Sequence, residues 1–321
     1  MVARTDSVAA LRALATVCAG VRPGERCLIL ADTRSKHEIV QDMSIVLRSL
    51  GASVVRVEFE PVDLPGDEPP ATAAAAMLEA DVIFELTSNF AGSSPARVQA
   101  CERGARYLTV PALTSATLRP GGPFYTDFLA GRERARRLAG AFDAADDFRL
   151  SSSLGTDLRG KFARRAGRPL WGVATEPGTY AAPPDIEVGA APVEGTANGR
   201  VVVDGSVLFL GPEQLAAPIE LRFEQGLLVD CHGPDAWRLN DALDRSNDER
   251  MRNLAEVSIG LNPLSRPGGA PLELEGIVGG AHIALGNNIP YGGSVAARSH
   301  IDCVLLRADL ELDGQRLDPA A

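Results

Sequence analysis

The sequence predicts an α/β protein in two parts: an N-terminal open parallel α/β domain and a C-terminal β-rich α+β domain. Two observations carry this. Over the first 110 residues, short apolar runs alternate with helical stripes, and after about residue 150 the chain becomes a series of β-type runs punctuated by Gly and Pro.

The elements follow in order. Residues 27–31 come after the turn signal Pro23-Gly24 and form an unbroken apolar run, as in a strand buried on both faces. Between 38 and 50 the positions Ile39, Val40, Met43, Val46, Leu47 and Leu50 make a helical stripe, closed by Gly51. Strand 53–59 follows, then an Ala-rich helix at 72–78, strand 81–86, a helix at 95–103 and strand 106–110. This alternation argues for a parallel sheet with crossover helices. No Gly-x-Gly-x-x-Gly follows the first strand, so dinucleotide binding is not expected. An Arg/Ala-rich helix at 127–145 ends the domain, and the division is placed between 1–148 and 149–321. Beyond it, β-type runs at 200–204, 206–210, 219–223, 227–230 and 303–306 are interrupted by one helix at 234–247.

Composition excludes several function classes. The chain has 321 residues, 45% of them hydrophobic, enough to bury a core. Its 42 acidic against 32 basic residues leave a formal charge of −10, which repels nucleic acid. No apolar run has the length of a membrane span, and residues 1–6 lack a signal-type apolar core, so the expectation is a cytoplasmic protein. The five cysteines are odd in number and form no Cys-x-x-Cys pair, which reads as free thiols.

Histidine is scarce, and two of the four lie in the last 40 residues. His300 and Asp302, two apart in a β-type segment, point to one face, and His282 precedes them behind a glycine-rich stretch. Imidazole and carboxylate presented together make part of a metal site. Two acids in apolar surroundings, Glu187 and Glu256, are candidates to complete it.

In order along the chain, Pro184-Asp-Ile-Glu187-Val, Ala255-Glu256 to Asn262-Pro263, Gly280-Ala-His282-Ile-Ala-Leu-Gly286 and Ser299-His300-Ile-Asp302 resemble the ligand motifs of the aminopeptidase T and aminopeptidase S type of metallo-aminopeptidases. The resemblance implies that Glu187, Glu256, His282, His300 and Asp302 hold one or two divalent ions, zinc, cobalt or manganese. It also implies a homodimer acting on short peptides or a small metabolite by amide hydrolysis. Glu187, Glu256 and Glu275 are the candidate catalytic carboxylates, Glu275 or a ligand glutamate carrying the proton. The family's tyrosine seven residues after the first histidine is Ile289 here, with Tyr291 close by.

A related branch, the 2,5-dihydroxypyridine 5,6-dioxygenase type, is similar to a one-iron form of the same scaffold, with a histidine where this chain has Glu256. The alternative expectation is therefore a mononuclear iron(II) ring-cleaving dioxygenase. A non-enzymatic scaffold protein is the third reading. The remaining candidates are plain: His37 at a helix start, His232 in a turn, Asp157 and Arg159 as an ion pair, Arg132–Arg137 as a solvated helix face, and 88–94 as a loop or substrate wall.

Overall fold

The structure is a computed structural model that describes residues 4–211 and 214–320. Its strands, in chain order, begin with β1 (Arg26–Asp32), β2 (Ser53–Phe59), β3 (Val82–Glu85), β4 (Arg106–Thr109), β5 (Asp147–Ser151) and β6 (Asp157–Lys161). Next come β7 (Arg168–Leu170), β8 (Tyr180–Ala181), β9 (Glu187–Ala190), β10 (Asn198–Val203), β11 (Ile219–Glu224) and β12 (Leu227–His232). The last are β13 (Leu254–Gly260), β14 (Ala281–Gly286), β15 (His300–Leu305), β16 (Asp309–Leu312) and β17 (Gln315–Arg316).

The chain divides into two compact units. One comprises the residues up to Phe128 with Trp171–Pro184, the other Leu129–Leu170 with the chain from Asp185 on. The expected division at 148/149 falls inside the second unit, on β5. Helix Phe128–Ala144 runs in that unit, where Gly131 lies against Ile186.

The first unit is a parallel sheet in the order β2-β1-β3-β4-β8. β1 is buried from Cys27 to Asp32 because it has neighbours on both edges and helical residues over its faces. Helix His37–Ser49 buries the predicted stripe Ile39, Val40, Met43, Val46 and Leu47, and Gly51 (φ 83°) ends the segment. Leu28, Leu30, Met77, Ile83 and Tyr107 form the core between sheet and helices. The chain leaves β1 for β2 on one side and returns to β3 on the other, which makes the carboxyl ends of β1 and β3 a topological switch point.

Two buried carboxyls pin the loop after β3 there. Asp32 accepts from the Ser88 amide (2.6 Å) and hydroxyl (2.8 Å). Glu85 accepts from the Ala91 amide (2.6 Å), Thr109 Oγ1 (2.7 Å), Tyr107 Oη (2.9 Å) and Thr87 Oγ1 (3.0 Å). The predicted loop 88–94 is thus fastened from within.

The second unit holds two antiparallel sheets, β12-β11-β10-β6-β5-β16-β17 and β15-β14-β13-β9-β7. Every residue of β13 and β14 is buried. The expected run at 206–210 is not a strand: only Val207 pairs, in an isolated bridge to Cys303, because the chain turns at 208–209. β5, β6, β9, β13 and β14 are strands that the sequence does not announce; in the last four the apolar and polar residues follow no clear alternation. Among the described residues no helix is long and apolar enough to cross a membrane.

Glu85 supplies a test. Burial pushes its carboxyl above the usual carboxylate range, although four hydrogen bonds favour the ionised form. The folded state therefore binds more protons than the unfolded chain above the ordinary carboxylate value, and stability falls as pH rises through that window. Glu85→Gln removes this slope. Denaturant titrations from about pH 4 to about pH 7, spanning the ordinary carboxylate range, are expected to show the variant gaining on the wild type as pH rises. A pH-independent difference would refute the assignment.

Candidate metal centre

Four strands of the five-stranded sheet position the predicted residues. Glu187 opens β9, Glu256 lies on β13, His282 on β14, and His300 and Asp302 on β15. Strand alternation puts His300 and Asp302 on one face, as the sequence implied. Register brings the others to it. Gly189, Ser258, His282 and Val304 form one row across the sheet, and Glu256, Ala284 and Asp302 form the next. Ala284 has only a methyl group, so the carboxylates on either side have space above it. Gly189 is obligatory, because a Cβ there would collide with the Ser258 hydroxyl.

The side chains converge. His282 Nε2 lies 3.0 Å from Glu187 Oε2 and 3.4 Å from Glu256 Oε1. His300 Nε2 lies 3.1 Å from Glu256 Oε2 and 3.2 Å from Asp302 Oδ1. Among the described residues, three donor groups each have their ligand atoms within 4.8 Å of one another: Glu187–Glu256–His282, Glu256–His300–Asp302 and Glu275–His282–Asp302. Glu256 belongs to two of them and is fully buried. The structure thus brings together all six residues that the sequence singled out here.

Charge is the dominant problem of the site. Asp185, Glu187, Glu256 and Glu275 are buried, and the Asp302 side chain is only 14% exposed. Burial pushes the Glu256 carboxyl up, but hydrogen bonds and charge from His282 and His300 outweigh it and hold it at about 2. Burial pulls both imidazoles down, yet the adjoining carboxylates, Glu187 for His282 and Asp302 for His300, hold them well above the usual histidine range. Burial, and then the charge of Glu187, pushes Asp185 up. Burial, and then Asp302, does the same to Glu275. The carboxylates of the cluster thus favour protonated imidazoles, which offset part of its negative charge.

Further contacts fix the geometry. His300 Nδ1 is 2.7 Å from the Asn287 carbonyl oxygen, a bond that directs Nε2 at the carboxylates. Ser258 donates its hydroxyl to Glu256 Oε1. Tyr291 donates its hydroxyl to Glu187 Oε1 at 3.1 Å, and its ring stacks on His300 (centroids 5.5 Å apart, planes at 10°). The Arg168 guanidinium lies 4.5 Å from the Tyr291 ring centre. Glu194 anchors the loop that carries Tyr291, accepting from Asn288 Nδ2 (2.8 Å), the Ser294 amide (2.9 Å) and the Ser294 hydroxyl (3.0 Å), and pairing with Arg165 Nη2 (2.5 Å).

The sequence reading did not assign Asp185, Arg168 or Glu194 to the site. Asp185 was readable, two residues before Glu187 in an apolar stretch. Arg168 and Glu194 carry no local signal, since only the pairing of β7 with β9 and the turn after β9 bring them in. The plain candidates lie elsewhere. His37 is exposed, His232 is exposed with Nδ1 3.2 Å from Asp230, and Asp157 pairs with Arg149 and Arg159 at the surface.

Comparison with known proteins bears on this arrangement. The sequence profile of NicX, 2,5-dihydroxypyridine 5,6-dioxygenase, matches residues 7–318. The chain belongs to that family. A curated relative of that name from Pseudomonas putida is 24% identical over 180 residues, 53% of this chain and 51% of the relative, so the match spans about half the length of each. The solved structure of the Pseudomonas putida 2,5-dihydroxypyridine dioxygenase superposes with a TM-score of 0.76 at 20% identity, covering 99% of this chain and 96% of that one. Wild-type AmpT from Thermus thermophilus superposes at 0.70 and 18% identity, covering 98% of each. Both likenesses show the expected fold, and the family fits the ring-cleaving alternative better than the hydrolase reading.

The residues present fit a divalent ion. Nitrogen and carboxylate oxygen donors without a thiolate suit zinc, manganese, cobalt or iron. His282 Nδ1 and Asp185 Oδ1 are buried without a hydrogen-bond partner among the described residues. A bound ion would also replace imidazolium protons as the counter-charge.

Metal addition is therefore expected to stabilise the fold, by about 2.7 kcal/mol when free metal is about one hundred times its dissociation constant. Glu256→Gln, which removes a donor from two groups at once, should lower metal affinity at least tenfold and abolish most of that gain. Thermal unfolding with and without a chelator checks both. An unchanged melting temperature in metal, or a variant that binds as tightly as the wild type, would contradict the site.

Proposed function

We propose that this chain is a metal-dependent enzyme that opens the ring of a small hydroxylated nitrogen heteroaromatic compound with oxygen. The observation that carries this reading is the family match over residues 7–318. Glu256, His300 and Asp302 would hold the ion, at the positions where the branch is expected to have two histidines and an aspartate. An ion bound there supplies Lewis acidity and, as iron(II), the activation of oxygen.

The chain's own residues orient and balance the site. Glu256, set between two imidazoles, fixes the distance between the donor groups. The Asn287 carbonyl keeps His300 Nε2 directed inward. Glu275, in the group with His282 and Asp302, is placed to carry a proton.

A second reading, amide hydrolysis at two ions, is favoured by one specific observation. The group with His300 and Asp302 contains a carboxylate, Glu256, instead of a second imidazole, and the same carboxylate reaches His282 in the adjoining group. Carboxylate-bridged donor pairs suit polarising a carbonyl and deprotonating water. Four of the five free cysteines are buried and one is partly exposed, which supports a reducing compartment for either activity.

Metal analysis of the purified protein, with two assays, decides between them. One equivalent of iron and oxygen consumption with 2,5-dihydroxypyridine upholds the first reading. Two equivalents of zinc, cobalt or manganese with hydrolysis of aminoacyl anilides replaces it by the second. In either case His300→Ala should lower turnover at least a hundredfold, the lower end of what one positioned catalytic group contributes. A protein that is equally inert before and after that change refutes both.

A further inference from the structure

We propose that Arg168 is a positioning residue for the metal centre, acting through Tyr291 on Glu187 and His300. The inference rests on the reading of those residues as ion ligands, and it adds a residue that is not itself one of the proposed donors.

The placement follows from register. β7 pairs with β9 so that Arg168 stands opposite Gly189 and Leu170 opposite Glu187. Arg168 therefore projects on the face that carries Glu187. Gly189 offers no side chain to block it, and the guanidinium lies against Tyr291 at 4.5 Å from the ring centre. That ring also stacks on His300, and its hydroxyl donates to Glu187. Tyr291 thus touches one ligand from each of two donor groups, and Arg168 packs on the same ring.

The backbone of Tyr291 is held independently. Its carbonyl accepts from the Ala191 amide at 3.1 Å, and Glu194 ties down Asn288 and Ser294 on either side. These anchors of the loop do not involve Arg168. The attraction between a cation and an aromatic face depends on charge and contact, so lysine can serve where methionine cannot. Holding the ring keeps its hydroxyl on Glu187 and its face against the His300 imidazole, which is how groups behind the ligands tune metal affinity.

The test uses cobalt(II) as the probe on the full chain, with affinity measured by chelator competition and geometry by the visible d–d absorption. Arg168→Met is expected to weaken cobalt binding about tenfold and to change the absorption band, and Arg168→Lys to restore both to within about twofold. In a Tyr291→Phe background, Arg168→Met should cost clearly less than it does alone, because the route through the hydroxyl is already broken. Wild-type affinity and spectrum in Arg168→Met would overturn the proposal, as would a lysine variant no better than methionine, or additive losses in the double variant. If Arg168→Met fails to fold, the lysine and phenylalanine variants carry the comparison. Failure of the wild type to bind cobalt at all would instead strike at the proposed function.

Discussion

Carboxylates packed beside one another out of water repel strongly, and each gives up hydration on burial. This chain places Asp185, Glu187, Glu256, Glu275 and Asp302 around one face of an antiparallel sheet, with two imidazoles among them. The arrangement holds only if that charge is offset within the cluster, by protons on carboxyls such as Asp185 and Glu275, which burial pushes up, or by positive charge among them. In the protein alone, the carboxylates beside His282 and His300 favour the protonated, positively charged form of both rings. A divalent ion would supply positive charge more compactly, and His282 Nδ1 and Asp185 Oδ1, buried without partners among the described residues, lie in the same cluster. Much of the neighbouring structure serves this arrangement: Gly189 makes room for Ser258, Ser258 holds Glu256, and Glu194 fastens the loop that brings Tyr291 to Glu187.

The sheet turns sequence spacing into geometry with little help from side-chain flexibility. Strand pairing fixes which residues stand side by side, and alternation fixes which face they share. A shift of one residue between β13 and β14 would send His282 to the opposite face from Glu256. The wholly buried Val257, Ile259, Ile283 and Leu285 oppose such a shift, because they would have to exchange places with polar groups.

Much of this was legible before any coordinates. The alternation of strand and helix over the first 110 residues gave the parallel sheet, and the stripe 39–47 gave the helix that covers it. His300 and Asp302 declared themselves by spacing, and Glu187, Glu256 and His282 by the order of their motifs. Other features had no local signal. β9 and β13 are buried and read as loosely apolar segments, and the run at 206–210 has strand composition but lies where the chain turns. Arg168 and Glu194 enter the site only through tertiary pairing, which no window of sequence displays. Tyr291 was noticed as a neighbour of a missing tyrosine, and its contacts with Glu187 and His300 emerge only when the hairpin between β14 and β15 is folded.

The order of the strands has a consequence for how the centre comes into being. Glu256, His282, His300 and Asp302 belong to a meander of consecutive neighbours, β13, β14 and β15, whereas Glu187 arrives on β9 from some seventy residues upstream. The meander can form by short loop closures, and β9 joins by a longer one, which is slower. One donor group, Glu256–His300–Asp302, is thus complete as soon as the meander forms, and the group containing Glu187 is complete only once β9 docks. A nascent chain would present a partial chelate first and the full donor set last, so tight ion capture would mark the end of assembly.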